Sequence, residues 1–166
     1  MADVKANYPA ASDVTITLAS LASDTNLFAG AESNAIDNTV NGYRDYWVSG
    51  KITTGTSPTT GRQIEVWAIG SPDGSLWPDV FDGTDSAETI TSANHKNSVC
   101  RFLAEMATDA TSDRVYHFGP VSVASAFGGV MPKSFVVFVV HNTAVNLNST
   151  AGNHQIRIQP YFETVT

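Results

Sequence analysis

The residue types that could perform catalysis are few and scattered along the chain. The four histidines, at positions 95, 117, 141 and 154, lack the close spacing of paired metal ligands. The sequence has no nucleophile elbow, no phosphate-binding loop and no dinucleotide fingerprint. The single cysteine, Cys100, lies among apolar residues, which favours a buried structural role. Distant residues can still converge in space, but we expect a non-enzymatic protein with no catalytic residues and no cofactor.

One group of carboxylates has the chemistry of a calcium site. Asp79, Asp82 and Asp85 lie within seven residues of one another, and calcium prefers several oxygen ligands from a flexible loop. Their spacing does not match an EF-hand, which needs acids at alternating positions and a terminal glutamate. Solvated turn aspartates are the favoured interpretation, so no metal site is predicted and these three stay weak candidates.

The aromatic residues offer a binding surface instead. Trp47, Trp67 and Trp77 could stack against sugar rings, and Trp47 and Trp67 fall on neighbouring predicted strands that could share a face. Aromatic pairs across strands also stabilise sheets without any ligand, so packing in the core or between subunits is the favoured alternative. Phe81 and Tyr8 complete the set of possible interface or ligand-stacking residues.

Composition and charge exclude several partners. The chain has 166 residues, enough for one domain with a substantial core, and its net charge is -7. Nine scattered lysines and arginines do not form the basic patch that nucleic acid requires. The longest apolar run, Phe135–Val140, is too short to span a bilayer, and the N-terminus lacks the features of a signal peptide. We therefore expect folding in a cytoplasm, with neither nucleic acid nor membrane as partner.

Period-two alternation recurs along the chain and indicates about eight strands. The apolar run from Phe135 to Val140 predicts a central strand buried on both faces. The polar stretch 53–61 predicts a hairpin loop between antiparallel neighbours. The segment 99–106 is predicted to pair with the segment 114–118. Pro160 should end its strand or place it at an edge. The predicted strands are 14–18, 46–52, 63–69, 99–106 (with a short helix as the alternative), 114–118, 121–123, 135–140 and 154–159.

These elements predict an all-β, antiparallel β-sandwich, with a jelly roll as the first choice and an immunoglobulin-like sandwich as the second. Residues 13–166 form the single domain, and 70–98 form a long loop over one end of the sandwich, anchored by Trp77 and Phe81. Residues 1–12 are either an extended arm, which could lie across a neighbouring subunit, or a frayed tail.

Three segments carry a resemblance to a known class of proteins. They read SGKITTGTSPTTGRQIEV (49–66), VTITLASLAS (14–23) and IRIQPY (156–161), and together cover 34 of the 166 residues, about a fifth of the chain. They resemble small β-rich structural proteins of tailed bacteriophages, most closely the capsid decoration (cement) proteins.

The resemblance implies a virion component made in the host cytoplasm. Such a protein binds the outer shell, bridges neighbouring capsid subunits and is often a homo-oligomer, here a dimer or trimer. Its partners would be the major capsid protein or other virion proteins. A tail or fibre component and a carbohydrate-binding β-sandwich module remain the alternatives.

Overall fold

The computed structural model describes residues 2–166, which form two antiparallel β-sheets packed face to face. No helix in this range is long and apolar enough to cross a membrane. A 3-10 turn at Ala151–Asn153 completes the regular structure. The other elements are β1 (Val4–Asn7), β2 (Ser12–Asp13), β3 (Ala29–Glu32), β4 (Ile36–Asp37), β5 (Asp45–Thr53), β6 (Arg62–Ser71), β7 (Ser86–Thr89), α1 (Ala93–Val99), β8 (Cys100–Thr108), β9 (Val115–Ser122), α2 (Val123–Ala126), β10 (Ser134–His141) and β11 (Gln155–Val165).

The strand order is that of a jelly roll. One sheet has the order β1-β11-β5-β9, with β2 also on β11, and the other has the order β7-β3-β10-β6-β8, with β4 also on β10. The antiparallel pairs are nested: β1 and β2 pair with β11, β3 with β10, β5 with β9, and β6 with β8. A long hairpin rolled into two sheets produces this nesting. The predicted β-sandwich is confirmed, with the topology of its first choice and not of the immunoglobulin-like second.

Strand β10 lies at the centre of the six-stranded sheet and is buried along its whole length. The odd-numbered residues from Phe135 to Val139 face the other sheet and belong to the main core. The even-numbered residues from Val136 to Val140 face the opposite way, into a second core. The prediction of a central strand buried on both faces is confirmed.

The predicted hairpin between β5 and β6 is wrong. The two strands belong to different sheets, and the loop between them crosses from one sheet to the other. Val48 of β5 and Val66 of β6 are both fully buried in the core between the sheets. The two strands therefore face each other across this core and are not neighbours in one sheet. A loop of this length spans the ~10 Å between packed sheets. The predicted pairing of β8 with β9 fails in the same way, since β8 pairs with β6 and β9 with β5.

The alternating segment 14–18 is not a strand, although Val14 and Leu18 are buried as predicted. Its backbone bonds divide between the two sheets. The Val14 amide donates to Ile156 O in the five-stranded sheet, whereas Thr15 O accepts from Asn34, next to the six-stranded sheet. A segment that crosses between sheets keeps its alternation but cannot form a continuous ladder.

The stretch 70–98, predicted to be irregular, contains the strand β7 and the helix α1. It covers the outer face of the six-stranded sheet instead of one end of the sandwich. Phe81 is buried there against Phe138, with ring centroids 5.1 Å apart, in the second core. For 99–106 the strand prediction is confirmed from Cys100 onward, and the alternative of a short helix is wrong, because α1 ends at Val99.

Strand β11 continues through Pro160 to Val165 and lies between β1 and β5, so both predictions for the proline, an end of the ladder or an edge strand, are wrong. The Tyr161 carbonyl accepts from the Arg44 amide, on the β5 side. In an antiparallel ladder alternate residues point to opposite sides, so the ring nitrogen of Pro160 points away from β5. On that side, β2 pairs with β11 residues up to Ile158, and β1 pairs with β11 residues from Phe162 onward. The ladder therefore has a gap at the proline.

The N-terminal segment 1–12 is predicted as an extended arm or a frayed tail; Met1 lies outside the described residues, and the rest of the segment runs along β11. Val4–Asn7 and Ser12–Asp13 pair with β11 on either side of the gap, and residues 8–11 leave the ladder between them. Whether the segment also contacts a neighbouring subunit stays a prediction.

Replacing a ring of the second core should be costly. We expect Phe138→Ala to lower the free energy of unfolding by about 3 to 5 kcal/mol, because a fully buried ring leaves a cavity. Phe102→Ala, at a 49% exposed position of the same sheet, should cost less than about 1.5 kcal/mol. Urea denaturation of both variants measures the two values. Equal losses would contradict the existence of a second core over this sheet.

Candidate binding face

Three aromatic side chains form a cluster on the outer face of the five-stranded sheet. Trp47 on β5 points outward because its neighbours Tyr46 and Val48 point into the core. The Tyr8 ring lies 5.8 Å from the Trp47 ring and 5.3 Å from the Tyr161 ring, measured between centroids. Tyr8 is 51% exposed and Trp47 36% exposed. We call Tyr8, Trp47 and Tyr161 the aromatic cluster.

The gap at Pro160 places Tyr8 in this cluster. Where the proline cannot donate a hydrogen bond, residues 8–11 leave the ladder, and the side chains of β11 hold them from the outer face. Gln159 Nε2 donates to Pro9 O at 3.4 Å, and Arg157 Nη2 donates to Ala11 O at 3.1 Å. The sequence analysis missed Tyr161, Gln159 and Arg157, although the alternation of 154–159 already directed the last two outward.

The strands beneath the cluster have no net charge. They contain three basic and three acidic residues, while the whole chain carries -7, so the acidic excess lies elsewhere. Arg157 Nε lies 3.1 Å from Asp13 Oδ1, and Arg44 Nη1 lies 2.6 Å from Glu163 Oε2 at the end of the sheet. Covering this face would therefore desolvate few unpaired charges. The six charged residues are Lys5, Asp13, Asp45, Lys51, Arg157 and Glu163.

Trp67 lies on the opposite side of the molecule, on the outer face of the six-stranded sheet. Its ring contacts Phe102 at 5.1 Å and lies 4.7 Å from Lys96 Nζ, which α1 lays across it. Its Nε1 donates to Glu65 Oε2 at 2.9 Å, and Lys96 Nζ donates to the same oxygen at 2.6 Å. A buried ion pair that shares its oxygen with an indole fixes the helix on the sheet, so Trp67 has a packing role.

Trp77 and Phe81 belong to the same covering layer. Trp77 is half-buried, its Nε1 donates to Gly74 O at 3.2 Å, and its ring packs on Gly83, where a Cβ would lie 3.0 Å from Trp77 Cζ2. The prediction that Trp47 and Trp67 share a face is therefore wrong. Adjacent alternating strands share a face only within one sheet, and β5 and β6 lie in different ones.

The three candidate calcium ligands are directed to different partners. Asp79 accepts hydrogen bonds from the Thr91 amide and hydroxyl, and Asp85 accepts from the Thr17 amide and hydroxyl. Asp82 closes a local turn by accepting from the amide two residues on. Among residues 2–166, no three histidine, cysteine or acidic side chains are arranged to hold a metal ion. The three aspartates fasten loops.

A cleft of about 480 Å³ lies between residues 13–19 and the start of β11. Its floor is apolar, and its rim carries Lys51 and His154. Lys51 Nζ donates to Gly152 O at 3.2 Å. The His154 Nε2 bonds to Asn148 O at 2.8 Å, and its Nδ1 accepts from the Thr53 amide, which fixes a neutral ring. Lys51 and His154 thus both bond to backbone groups beside the loop before β11.

Glu32 is a buried carboxylate with a titratable role. It lies at the end of β3, fully buried, and accepts from the Gly83 amide at 2.7 Å and the Asp82 amide at 3.3 Å. Burial, against those two hydrogen bonds and together with the negative charges of Asp82 and Glu88, raises the pKa of Glu32 to about 7. Glu32 therefore fastens the stretch 70–98 to the sheet, and its ionisation destabilises the folded state.

His141 at the end of β10 titrates in the opposite sense. Its ring is fully buried, and its nitrogens bond to Thr143 Oγ1 and Leu21 O, each at 3.0 Å. Burial lowers the pKa of His141 to about 4. The folded state loses stability here as the pH falls from 6.5 towards 4, because only the unfolded chain takes up the proton over that range.

The comparisons with known proteins identify no relative. No protein-family model, no curated protein and no solved structure matches the chain.

The titration of Glu32 predicts a pH dependence that a neutral variant removes. Between pH 4.5 and about 7 the folded state binds the Glu32 proton and the unfolded state does not, so the free energy of unfolding falls as the pH rises. Glu32→Gln keeps an acceptor oxygen for the Gly83 amide and carries no charge. Relative to wild type, we expect it to gain stability over this range by up to about 3 kcal/mol.

Urea denaturation at several pH values between 4.5 and 8 measures the difference. The contribution of His141 is present in both proteins and cancels. Parallel curves for the two proteins would contradict the raised pKa.

Proposed function

We propose that this chain is a non-enzymatic virion structural protein, a capsid decoration (cement) protein that binds the outer shell and bridges neighbouring capsid subunits. One observation carries the proposal: the five-stranded sheet presents an exposed aromatic cluster on its outer face, while the chain itself covers the other sheet. The resemblance of residues 14–23, 49–66 and 156–161 to phage structural proteins supports the same function.

The composition of the face suits attachment to protein. Tryptophan, tyrosine and arginine are the residues that most often dominate binding energy at protein interfaces. Here Tyr8, Trp47 and Tyr161 lie together, with Arg157 held beside them by Asp13. Because Arg157 and Glu163 are each paired within the chain, a partner surface that covers them leaves neither charge without a counter-ion.

Decoration requires only buried area, and it tolerates weak single contacts. A protein bound at many equivalent positions of a shell, or to two subunits at once, gains affinity through effective concentration. A rigid sandwich suits that purpose, because neither sheet has to reorganise when the face is covered. The acidic excess then lies on surfaces away from the attachment face.

The alternatives differ in what they require of the aromatic cluster. A tail or fibre component would use the same face on a different virion protein. A carbohydrate-binding module can no longer rely on three tryptophans, since only Trp47 lies on this face. It would have to stack sugars on the cluster alone.

Removing the largest ring of the aromatic cluster should weaken attachment and leave the fold intact. We expect Trp47→Ala to weaken binding at least tenfold, because the indole is the largest exposed anchor of the face. Co-sedimentation with empty shells of the major capsid protein from the same virus measures the affinity. The matched control is Phe102→Ala, an exposed ring on the other sheet, which should bind as wild type does.

A glycan array with both variants separates the alternatives. Glycan binding that Trp47→Ala abolishes, with no affinity for shells, would replace decoration by carbohydrate binding. Equal shell binding by wild type and Trp47→Ala would remove the face from the proposal.

A further inference from the structure

The first strand of the chain has an unpaired edge with a self-complementary sequence. Asp3 and Thr166 exchange backbone hydrogen bonds of 3.0 and 2.9 Å, so Asp3, Lys5 and Asn7 point their backbone groups towards β11. The alternation of an antiparallel ladder then points the amides and carbonyls of Val4 and Ala6 the other way, beyond the last strand of the sheet. Val4 is 63% exposed. Such an edge is a template for another strand.

The residues around Val4 match themselves when the strand is reversed. Residues 2–6 read ADVKA. Asp3 and Lys5, of opposite charge, flank Val4, and an alanine follows on each side. We propose that β1 pairs antiparallel with β1 of a second copy of this chain, about a two-fold axis at Val4, and joins two five-stranded sheets into one. This dimer does not depend on the particle to which the domain attaches.

The register follows from the backbone directions and the charges. With the axis at Val4, the two Val4 residues form a hydrogen-bonded pair, and Ala2 faces the second copy's Ala6. Asp3 then lies opposite the second copy's Lys5 in a non-hydrogen-bonded pair, where side chains approach most closely. The dimer contains this opposite-charge pair twice. Centring the axis on Lys5 would instead place two lysines opposite each other.

The charges of this strand are free to make that contact. Within residues 2–166, neither Asp3 nor Lys5 forms an ion pair, whereas Arg44, Arg114 and Arg157 do. A cross-strand pair of opposite charges stabilises an antiparallel ladder, so two symmetric pairs select a second copy over an unrelated strand.

Two of the other sheet edges are less suited to self-pairing. Strand β9 carries Pro120, which has no amide hydrogen to donate. Strand β7 is four residues long, contains Glu88 and follows Asp82 and Asp85, so two copies would bring acidic residues together. Of β1, β7 and β9, β1 is the edge at which charge favours a second copy.

A charge exchange tests the register. Asp3→Lys and Lys5→Asp each replace both opposite-charge pairs by like-charge pairs and should weaken dimerisation about fivefold to tenfold. The double variant restores opposite charges and should dimerise within about twofold of wild type. The interface is small, so sedimentation equilibrium should extend from about 10 µM to about 1 mM at low ionic strength.

Cross-linking provides a second measurement with a matched control. Val4→Cys places two cysteines across the axis with their Cα atoms at the ~5.5 Å separation of a hydrogen-bonded pair, which a disulfide can bridge. Ala6→Cys, on the same exposed edge, places them ~13 Å apart. We expect oxidation to cross-link the first variant only. Cys100 does not interfere, because it is buried and burial raises the pKa of its thiol to about 12.

Two results would overturn the proposal: a wild-type protein that stays monomeric at about 1 mM, or single charge variants that dimerise as wild type does. Equal cross-linking at positions 4 and 6 would exclude this register. A wild-type protein that dimerises as proposed but does not bind shells would contradict the proposed function and not the dimer.

Discussion

The structure depends on one strand that is buried on both faces. β10 lies between β3 and β6, and its alternating residues supply two separate cores, one between the sheets and one beneath the stretch 70–98. A strand with two apolar faces cannot stand at the surface of a two-layer sandwich, so a third layer must cover it. The chain provides that layer with Phe81, Trp77 and the helix α1. One outer face of the molecule is therefore occupied from within, and the other remains open.

The aromatic cluster on the open face of the five-stranded sheet depends on a gap in the ladder of β11. Pro160 removes one hydrogen bond from β11 on the side where the N-terminal segment pairs. The segment leaves the ladder there, and its Tyr8 ring lies on Trp47 and Tyr161. A residue that usually interrupts strands thus has a local consequence in this protein. It bends a neighbour outward and builds an aromatic cluster, with no interruption of the strand itself.

Local pattern predicted the individual strands far better than their partners. The alternation of 46–52, 63–69 and 154–159 and the apolar run of 135–140 correspond to β5, β6, β11 and β10. The pairing of β5 with β6 failed, because a polar loop between two strands fits both a hairpin and a crossing between sheets. The nested jelly-roll order decides between a hairpin and a crossing, and this order depends on contacts between residues far apart in sequence. Similarly, 14–18 alternates as a strand does, yet it crosses between the two sheets.

The candidate site shows the same division. Tyr8 and Trp47 were identified as possible contact residues from their type, but Trp67 and Trp77 were not distinguished from them, because residue type does not reveal which outer face a strand presents. Glu32 and the Glu65–Lys96 pair left no sequence signal, since their partners lie 31 to 51 residues away. By itself, the sequence determined the all-β class, the longer strands and the central position of β10, because side-chain alternation is a property of neighbouring residues. Only the tertiary structure decided which sheet each strand joins, which face stays open and which charges are buried, because these depend on contacts between distant residues.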